Sequence, residues 1–359
     1  MKVLALVDAP DHVCCRYRVR AFAEALAAAG WSLTLEGLAR GALARPRQLL
    51  KARQFDAVIL QRKLLNPWEM ALLRRSSRRL IFDLDDAVFW RDSYHPKGVR
   101  SPARERRFAS LVRQADVVLA GNDFLVGRAL LAGAAPEAVR RLPTCIDPGR
   151  CPTRSHAEGS PVRLVWIGSS STLRGLEQQR DLWDRIGRAV PGVILRVICD
   201  RAPEFGALPV EFVPWSDANE GQALAECDIG LAWLPDDLWS RGKCGLKVLQ
   251  YLAAGLPVVA NPIGVHPEMI AQDHSGILAV TEDDWLEAVA RLAGDWNLRR
   301  RMGAAARATV EKSYAVDRWT STFVNAMTGS LGGMPTRPHF DAIGVGRSLP
   351  SGRVEGTGR

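Results

Sequence analysis

Short apolar runs alternate with helix-length amphipathic stretches along nearly the whole chain. In the first half, runs suited to strands lie at 2–8, 32–35, 57–61, 79–83 and 117–120. In the second half they recur at 162–168, 193–199, 210–213, 228–233, 257–261 and 276–280. Such runs, rich in Val, Ile and Leu and bounded by turn residues, are the signature of strands buried on both faces. The longer segments between them predict crossover helices, and therefore parallel sheets. The alanine-rich stretch 17–29 predicts a helix ending at Gly30. A second helix is predicted from Lys243 to Ala253. Gly255 suits its left-handed terminus, and Pro257 prevents its continuation. On that helix Lys243, Lys247 and Gln250 share one face, beside an apolar stripe of Leu246, Leu249 and Ala253. Helical periodicity returns from about 285 to 328.

The periodicity lapses between Pro143 and Pro161, where Pro148, Pro152 and Gly159 accompany polar residues. The pattern predicts an α/β protein of two similar units: a first domain over 1–150, a linker over 151–161 and a second domain over 162–305. A terminal helix over 306–328 is expected to cross back to the first domain. The glycine- and proline-rich segment 329–359 reads as a disordered tail. Two such sheets would face each other across a cleft at the carboxyl ends of their strands, where ligands of these folds bind.

Composition narrows the class. A chain of 359 residues, 47% hydrophobic, can bury two cores of ordinary domain size. No apolar run approaches a membrane span and the N-terminus opens directly on a strand, so a cytoplasmic protein is expected. The seven cysteines show no C-x-x-C spacing, so free thiols are expected, and no metal site. Charge is uneven: residues 1–160 hold 27 Lys+Arg against 16 Asp+Glu, an excess of +11, and the remainder carries −2. A basic first half fits an anionic acceptor or peripheral attachment to the inner face of an anionic membrane. Aromatic stacking motifs of RNA binders are absent, which argues against nucleic acid.

Several clusters have chemical meaning in their own right. Lys243 and Lys247, beside the turn Cys244-Gly245-Leu246, would place two ammonium groups at a helix start that already offers free N–H donors. That arrangement suits a diphosphate; the alternative is a solvated amphipathic face. The junction Gly168-Ser169-Ser170-Ser171-Thr172-Leu173-Arg174 can wrap an anion with N–H, O–H and guanidinium donors, or can simply be a serine-capped helix start. Asp83, Asp85 and Asp86 end a strand and cannot all be buried cheaply, so some should face the cleft. Arg62 and Lys63 stand ready to pair with them or to hold an anionic acceptor; a helix-capping and salt-bridge cluster is the alternative. The loop after the first strand supplies His12, Arg16 and Arg18.

The run Ala253-Ala254-Gly255-Leu256-Pro257-Val258-Val259-Ala260, with the lysine-bearing helix before it, resembles the donor-binding segment of glycosyltransferase family 4, the retaining enzymes of GT-B fold. The resemblance extends over about residues 1–325 and is strongest at 241–268. It departs at the family's two glutamates, whose positions hold Gly242 and Gln250. The stretch is closer to a divergent branch with the pattern G-K-C-x-x-K-x-x-Q-Y. The resemblance implies two Rossmann-like, doubly wound parallel-sheet domains facing a central cleft.

It also implies roles. Gly168, Ser169, Ser170, Thr172 and Arg174 would contact a diphosphate together with Lys243, Cys244, Gly245, Leu246 and Lys247. Gln250 would reach a ribose hydroxyl, and Trp215 would stand at the nucleotide base or serve as a packing residue. His12, Arg16, Arg18, Arg62, Lys63, Asp83 and Asn122 would lie on the acceptor side. Lys243, Lys247, Arg174, Asp85 and Asp86 would carry catalysis. The implied function is transfer of a sugar, with retention, from a nucleotide-diphosphate sugar to the hydroxyl of a glycan, lipid-linked or small-molecule acceptor, in polysaccharide, glycolipid or other glycoconjugate synthesis. No cofactor or metal is expected. Two other readings stand beside it: a GT-B binding protein without transferase activity, and a haloacid-dehalogenase-like phosphatase using Asp83 and Asp85.

Overall fold

The computed structural model describes residues 1–329; the segment read as a disordered tail otherwise lies outside the described residues. Two six-stranded parallel sheets form the frame. The first holds β1 (Lys2–Val7), β2 (Ser32–Gly37), β3 (Ala57–Gln61), β4 (Leu80–Leu84), β5 (Val117–Ala120) and β6 (Val139–Arg141), in the order β2-β1-β3-β4-β5-β6. The second holds β7 (Val162–Ile167), β8 (Val193–Cys199), β9 (Val210–Pro214), β10 (Ile229–Ala232), β11 (Val258–Ala260) and β12 (Gly276–Leu278), in the order β12-β11-β10-β7-β8-β9. In each sheet the chain reverses its direction of winding beside the first strand, between β1 and β3 and between β7 and β10. Loops diverge at the carboxyl ends there and leave a crevice.

The strands hold together because their side chains are apolar on both faces. Val3 through Val7 are wholly buried, as are Ala57 through Leu60. Helices cover each face and close four apolar clusters, two per sheet. One cluster of the second sheet also takes in Tyr17 and Ile146 from the first domain, so the two units share a packed seam. Among the described residues no helix is long and apolar enough to cross a membrane. All seven cysteines are free thiols.

The structure departs from the expected elements in places. The helix expected at 17–29 is instead a helix Val13–Arg18, a short 3-10 turn and a helix Ala23–Ala28. It starts earlier because His12 Nδ1 accepts the Cys14 N–H at 3.2 Å, capping the first turn. It breaks at Val19, whose φ of −122° is not helical. The helix expected from Lys243 begins only at Leu246, behind Gly245 at φ +65°. Lys243 therefore lies in the loop ahead of the helix. The terminal helical region divides into Glu282–Gly294, Trp296–Ser313 and Val316–Thr328, so a boundary at 305/306 falls inside the second of these. The helix that returns to the first domain is Val316–Thr328, anchored by Phe323 stacked on Phe22 with ring centroids 4.4 Å apart. The chain crosses beside the linker, where Ile146 N donates to Tyr314 O and Val316 N donates to Ile146 O.

Candidate active site

The switch points of both sheets open onto one cleft lined by Cys14, Arg62, Asp85, Trp166, Thr172, Lys243, Lys247 and His266, among others. Its floor belongs to the second domain. Lys247, on the first turn of helix Leu246–Ala253, donates from Nζ to Thr172 Oγ1 at 3.3 Å and lies 4.9 Å from the Trp166 ring centroid. Gly168 permits this meeting. A Cβ there would come within 2.7 Å of both Lys247 Nζ and Thr172 Oγ1. Burial, with a smaller push from Lys243, brings the Lys247 ammonium down to about 7. Lys243 reaches the same cleft from its loop. Its Nζ lies 3.5 Å from the Trp239 ring centroid and 4.0 Å from Asp86 Oδ2.

The opposite wall belongs to the first domain. Arg62, held at φ +59°, points its guanidinium at Asp85 (3.3 Å) and Asp86 (2.5 Å) and donates to the Cys14 thiol. Arg62 and the two aspartates thus neutralise one another within this wall. The two domains touch closely at this point. A Cβ on Gly242 would lie 2.6 Å from Ala87 Cβ, and one on Gly121 would strike Cys244 Sγ. Asn122 caps helix Asp123–Leu131 through Oδ1 and donates from Nδ2 to the carbonyls of Gly242 (3.3 Å) and Lys243 (3.0 Å). Asn122 therefore fastens the lysine loop to the first domain. Ser93 and Ser240 hydroxyls meet at 3.4 Å, and Tyr94 packs over Gly175.

Other expected residues stand elsewhere. Arg18 backs the cleft lining, but its guanidinium is committed: it is 1% exposed and clasps Asp83, with Nη2 at 2.5 Å and Nε at 3.1 Å from Oδ1. Gln61 occupies the other Asp83 oxygen at 2.9 Å. A carboxylate so enclosed cannot attack a phosphoester, and the phosphatase reading fails on that ground. Lys63 pairs with Asp8 at 2.6 Å and holds that carboxyl below its ordinary range. His12 is spent as a helix cap. Arg174 is exposed on helix Ser170–Glu177 and has no ion-pair partner among the described residues. Ser169 caps no N–H with its side chain, since its hydroxyl meets Ser171 at 2.8 Å. The Ser170 N–H is taken by Asp200 at 2.6 Å, and the Ser170 hydroxyl, then the Cys199 thiol, bring that carboxyl down to about 2.

Gln250, Arg16 and Trp215 meet at a second centre that the sequence did not announce: Glu220. This carboxylate, 6% exposed, accepts from Arg16 (2.5 Å) and the Tyr17 hydroxyl (3.0 Å) on Oε1, and from Trp215 Nε1 (2.8 Å) on Oε2. Gln250 Nε2 donates to the Tyr17 oxygen at 3.2 Å. Residues more than two hundred positions apart thus form one network across the seam, and Trp215 is 42% exposed beside it. His266 was likewise unread. It opens a short helix after β11 and lines the main cleft. Its signal, a lone histidine six residues past the end of β11, was too slight to single out. Among the described residues no three His, Cys, Asp or Glu side chains are grouped to hold a metal ion.

Residues 238–309 match the family model for glycosyl transferases group 1, which spans the lysine loop, its helix, β11 and β12. Comparison with curated protein sequences gives no match. Among solved structures, the chain is similar to sucrose-phosphate synthase from Thermosynechococcus elongatus, with a TM-score of 0.71, 14% identity, and coverage of 92% of this chain and 98% of that one. It is similar to HepE from Anabaena in complex with UDP, at TM-score 0.64 and 15% identity, covering 92% and 99%. It is also similar to WaaG, a glycosyltransferase of lipopolysaccharide biosynthesis, at TM-score 0.65 and 15% identity, covering 92% and 100%. At these identities the structures establish the fold, which is GT-B. A group 1 segment on a GT-B frame is that of an enzyme of the glycosyltransferase class.

Proposed function

We propose that the protein transfers a sugar from a nucleotide-diphosphate sugar to an acceptor hydroxyl with retention of configuration, in the making of a glycan or glycoconjugate. The observation that carries this reading is the cleft floor, where Lys247 and Lys243 gather two cationic groups beside the free donors of a helix start, inside the group 1 segment. HepE, of the same fold, is solved with UDP-glucose.

In this reading the lysines neutralise the diphosphate as it leaves, an effect that is strong where water is excluded. Arg174 would have to swing in from the rim. The acceptor approaches from the first-domain wall, where Asp85 and Asp86, steadied by Arg62, orient its hydroxyl. The carboxylates that line the cleft among the described residues, Asp85 and Asp86, are both paired with Arg62, and in this reading the departing phosphate takes the acceptor proton as the new bond forms on the same face. Trp215 offers an exposed ring to the base. The close packing of Gly242 on Ala87 corresponds to a closed cleft, which protects a reactive donor from water. No cofactor or metal enters the scheme. The acceptor reading includes a lipid-linked molecule reached from an anionic membrane surface.

The test is a thermal-shift panel of nucleotide sugars on the full chain, followed by donor turnover in EDTA and NMR of the product anomer. Stabilisation by one nucleotide family, turnover in EDTA and a retained anomer support the reading. Binding without turnover would leave a nucleotide-sugar-binding protein, and inversion would overturn the mechanism.

A further inference from the structure

We infer that His266 is a specificity-determining residue for the donor's glycosyl group, its Nε2 accepting a hydrogen bond from a sugar hydroxyl in the cleft. The inference rests on the nucleotide-sugar reading of the same cleft and assigns its neighbouring subsite.

His266 is 3% exposed, and its Nδ1 lies 2.8 Å from the backbone carbonyl oxygen of Asn261. A carbonyl can only accept, so the ring proton sits on Nδ1 and the lone pair on Nε2. Nε2 has no protein partner among the described residues, yet it is not among the sealed, unpartnered atoms that include His156 Nδ1. It therefore opens into the cleft that His266 lines with Lys247 and Asp85. An acceptor that opens into the cleft can hold a water there and exchange it for the hydroxyl of a bound ligand.

The chemistry of that partner follows from the tautomer. A lone pair repels phosphate oxygens and attracts O–H. The imidazole cannot easily switch roles: burial, with Lys247 nearby, brings its pKa down to about 4, so it stays neutral at physiological pH. Two neighbouring groups on the floor thus divide the ligand between them. Lys247 takes the anionic part and His266 a hydroxyl beside it. In a nucleotide-diphosphate sugar, the hydroxyls next to the diphosphate are those of the sugar on one side and the ribose on the other. The two are separable, because the ribose remains when the sugar is removed.

The experiment is calorimetry on the full-length protein with UDP, GDP and ADP and with their hexose conjugates, for wild type, His266→Phe and His266→Gln. The Phe variant should bind the free diphosphate within about twofold of wild type and the conjugate about three- to tenfold more weakly, the range for one neutral hydrogen bond. The Gln variant, which offers an amide oxygen, should recover part of the loss. Deoxy-sugar donors add a control that needs no variant: one of them should bind wild type more weakly and His266→Phe no more weakly than the parent sugar. Equal losses for diphosphate and conjugate would place His266 at the ribose or phosphates and overturn the inference. So would no loss for either, or wild-type indifference to every deoxy-sugar. A wild type that binds none of the diphosphates would instead bring down the nucleotide-sugar reading itself, and this subsite with it.

Discussion

Lys247 Nζ and Thr172 Oγ1 lie 3.3 Å apart, joining the helix that follows the lysine loop to the helix that follows β7. Among the described residues no carboxylate pairs with this ammonium. Burial and the charge of Lys243 lower its pKa to about 7. An arriving diphosphate would raise it again. At pH 8 the free protein therefore holds less than one proton on Lys247 and the complex holds more. Binding should take up a fraction of a proton, and affinity should fall as pH climbs from about 7 toward the ordinary lysine range. Calorimetry of UDP or GDP binding in two buffers of different ionisation enthalpy reads this directly. A proton count of zero at pH 8 would place the diphosphate elsewhere.

The same residue predicts a separation of binding from folding. Lys247→Met keeps the stem and removes the charge. Loss of a charge-assisted contact should weaken nucleotide-diphosphate binding by about 1.5–3 kcal/mol. Stability should not fall with it. A folded-state pKa below the unfolded one means that the unfolded chain binds more protons between about 7 and the ordinary value of 10.5, so wild type gains stability as pH rises through that window. The variant should lose that gain. Melting curves at pH 7 and pH 9 beside the titrations would show it, and a variant that unfolds at both would mark Lys247 as structural.

Gly242 predicts a failure of an obvious repair. Restoring a glutamate at this position would supply the acidic residue that the resemblance expects. Its Cβ would lie 2.6 Å from Ala87 Cβ and 3.0 Å from Ala87 N, so the lysine loop must move off the first domain. Gly242→Glu should lower turnover and open the seam, seen as a larger radius in small-angle scattering. Raised turnover with unchanged dimensions would show that the loop has room to spare.

Much of this was legible in advance, for identifiable reasons. Eleven of the twelve strands fall where apolar runs place them, because a strand buried on both faces needs such a run. β6 (Val139–Arg141) was missed: two of its three residues are arginines on a sheet edge. The site divides the same way. Lys247, Thr172, Asp85 and Asp86 converge because each sits at a strand end or helix start, and the topology brings those together. Glu220 was invisible. Its partners Arg16 and Tyr17 lie 204 and 203 residues away, and nothing local marks such a contact. Arg18 misled for the converse reason, since an arginine in a cleft-facing loop gives no sign that a carboxylate waits beneath it.

That carboxylate makes its own prediction. Arg18 and Asp83 are each about 1% exposed at the side chain, so removing one charge strands the other. Asp83→Asn should cost about 3–5 kcal/mol of stability, whereas replacing both partners by apolar residues of similar volume should cost much less. Urea titration of the single and double variants checks the pair. An Asp83→Asn protein of wild-type stability that has lost turnover would return Asp83 to the reaction.

Part of the basic excess of the first domain is gathered in one segment. Residues 38–54 carry Arg40, Arg45, Arg47, Lys51 and Arg53 and no acidic residue. Glu69 and Glu36 partly neutralise Arg45 and Lys51, which leaves Arg40, Arg47 and Arg53 exposed. Leu43 and Leu50, on or beside helix Ala44–Lys51, are 72% and 38% exposed, and Trp68 on the adjoining helix Pro67–Ser76 is 54% exposed. Cationic groups interspersed with apolar ones suit the interface of an anionic bilayer, at about 1 kcal/mol for each arginine near the surface. The full chain should therefore sediment with vesicles of phosphatidylcholine and phosphatidylglycerol. Recovery should fall as salt rises, because the Debye length shortens. Arg40→Gln with Arg47→Gln should remove most of the salt-sensitive part. Leu43→Ser with Trp68→Ser should weaken what persists at high salt. These residues stand on the surface of the first domain, so both double variants should bind nucleotide as wild type does. Equal recovery with neutral and anionic vesicles would mean that the acceptor is met in solution, and that this patch serves solubility alone.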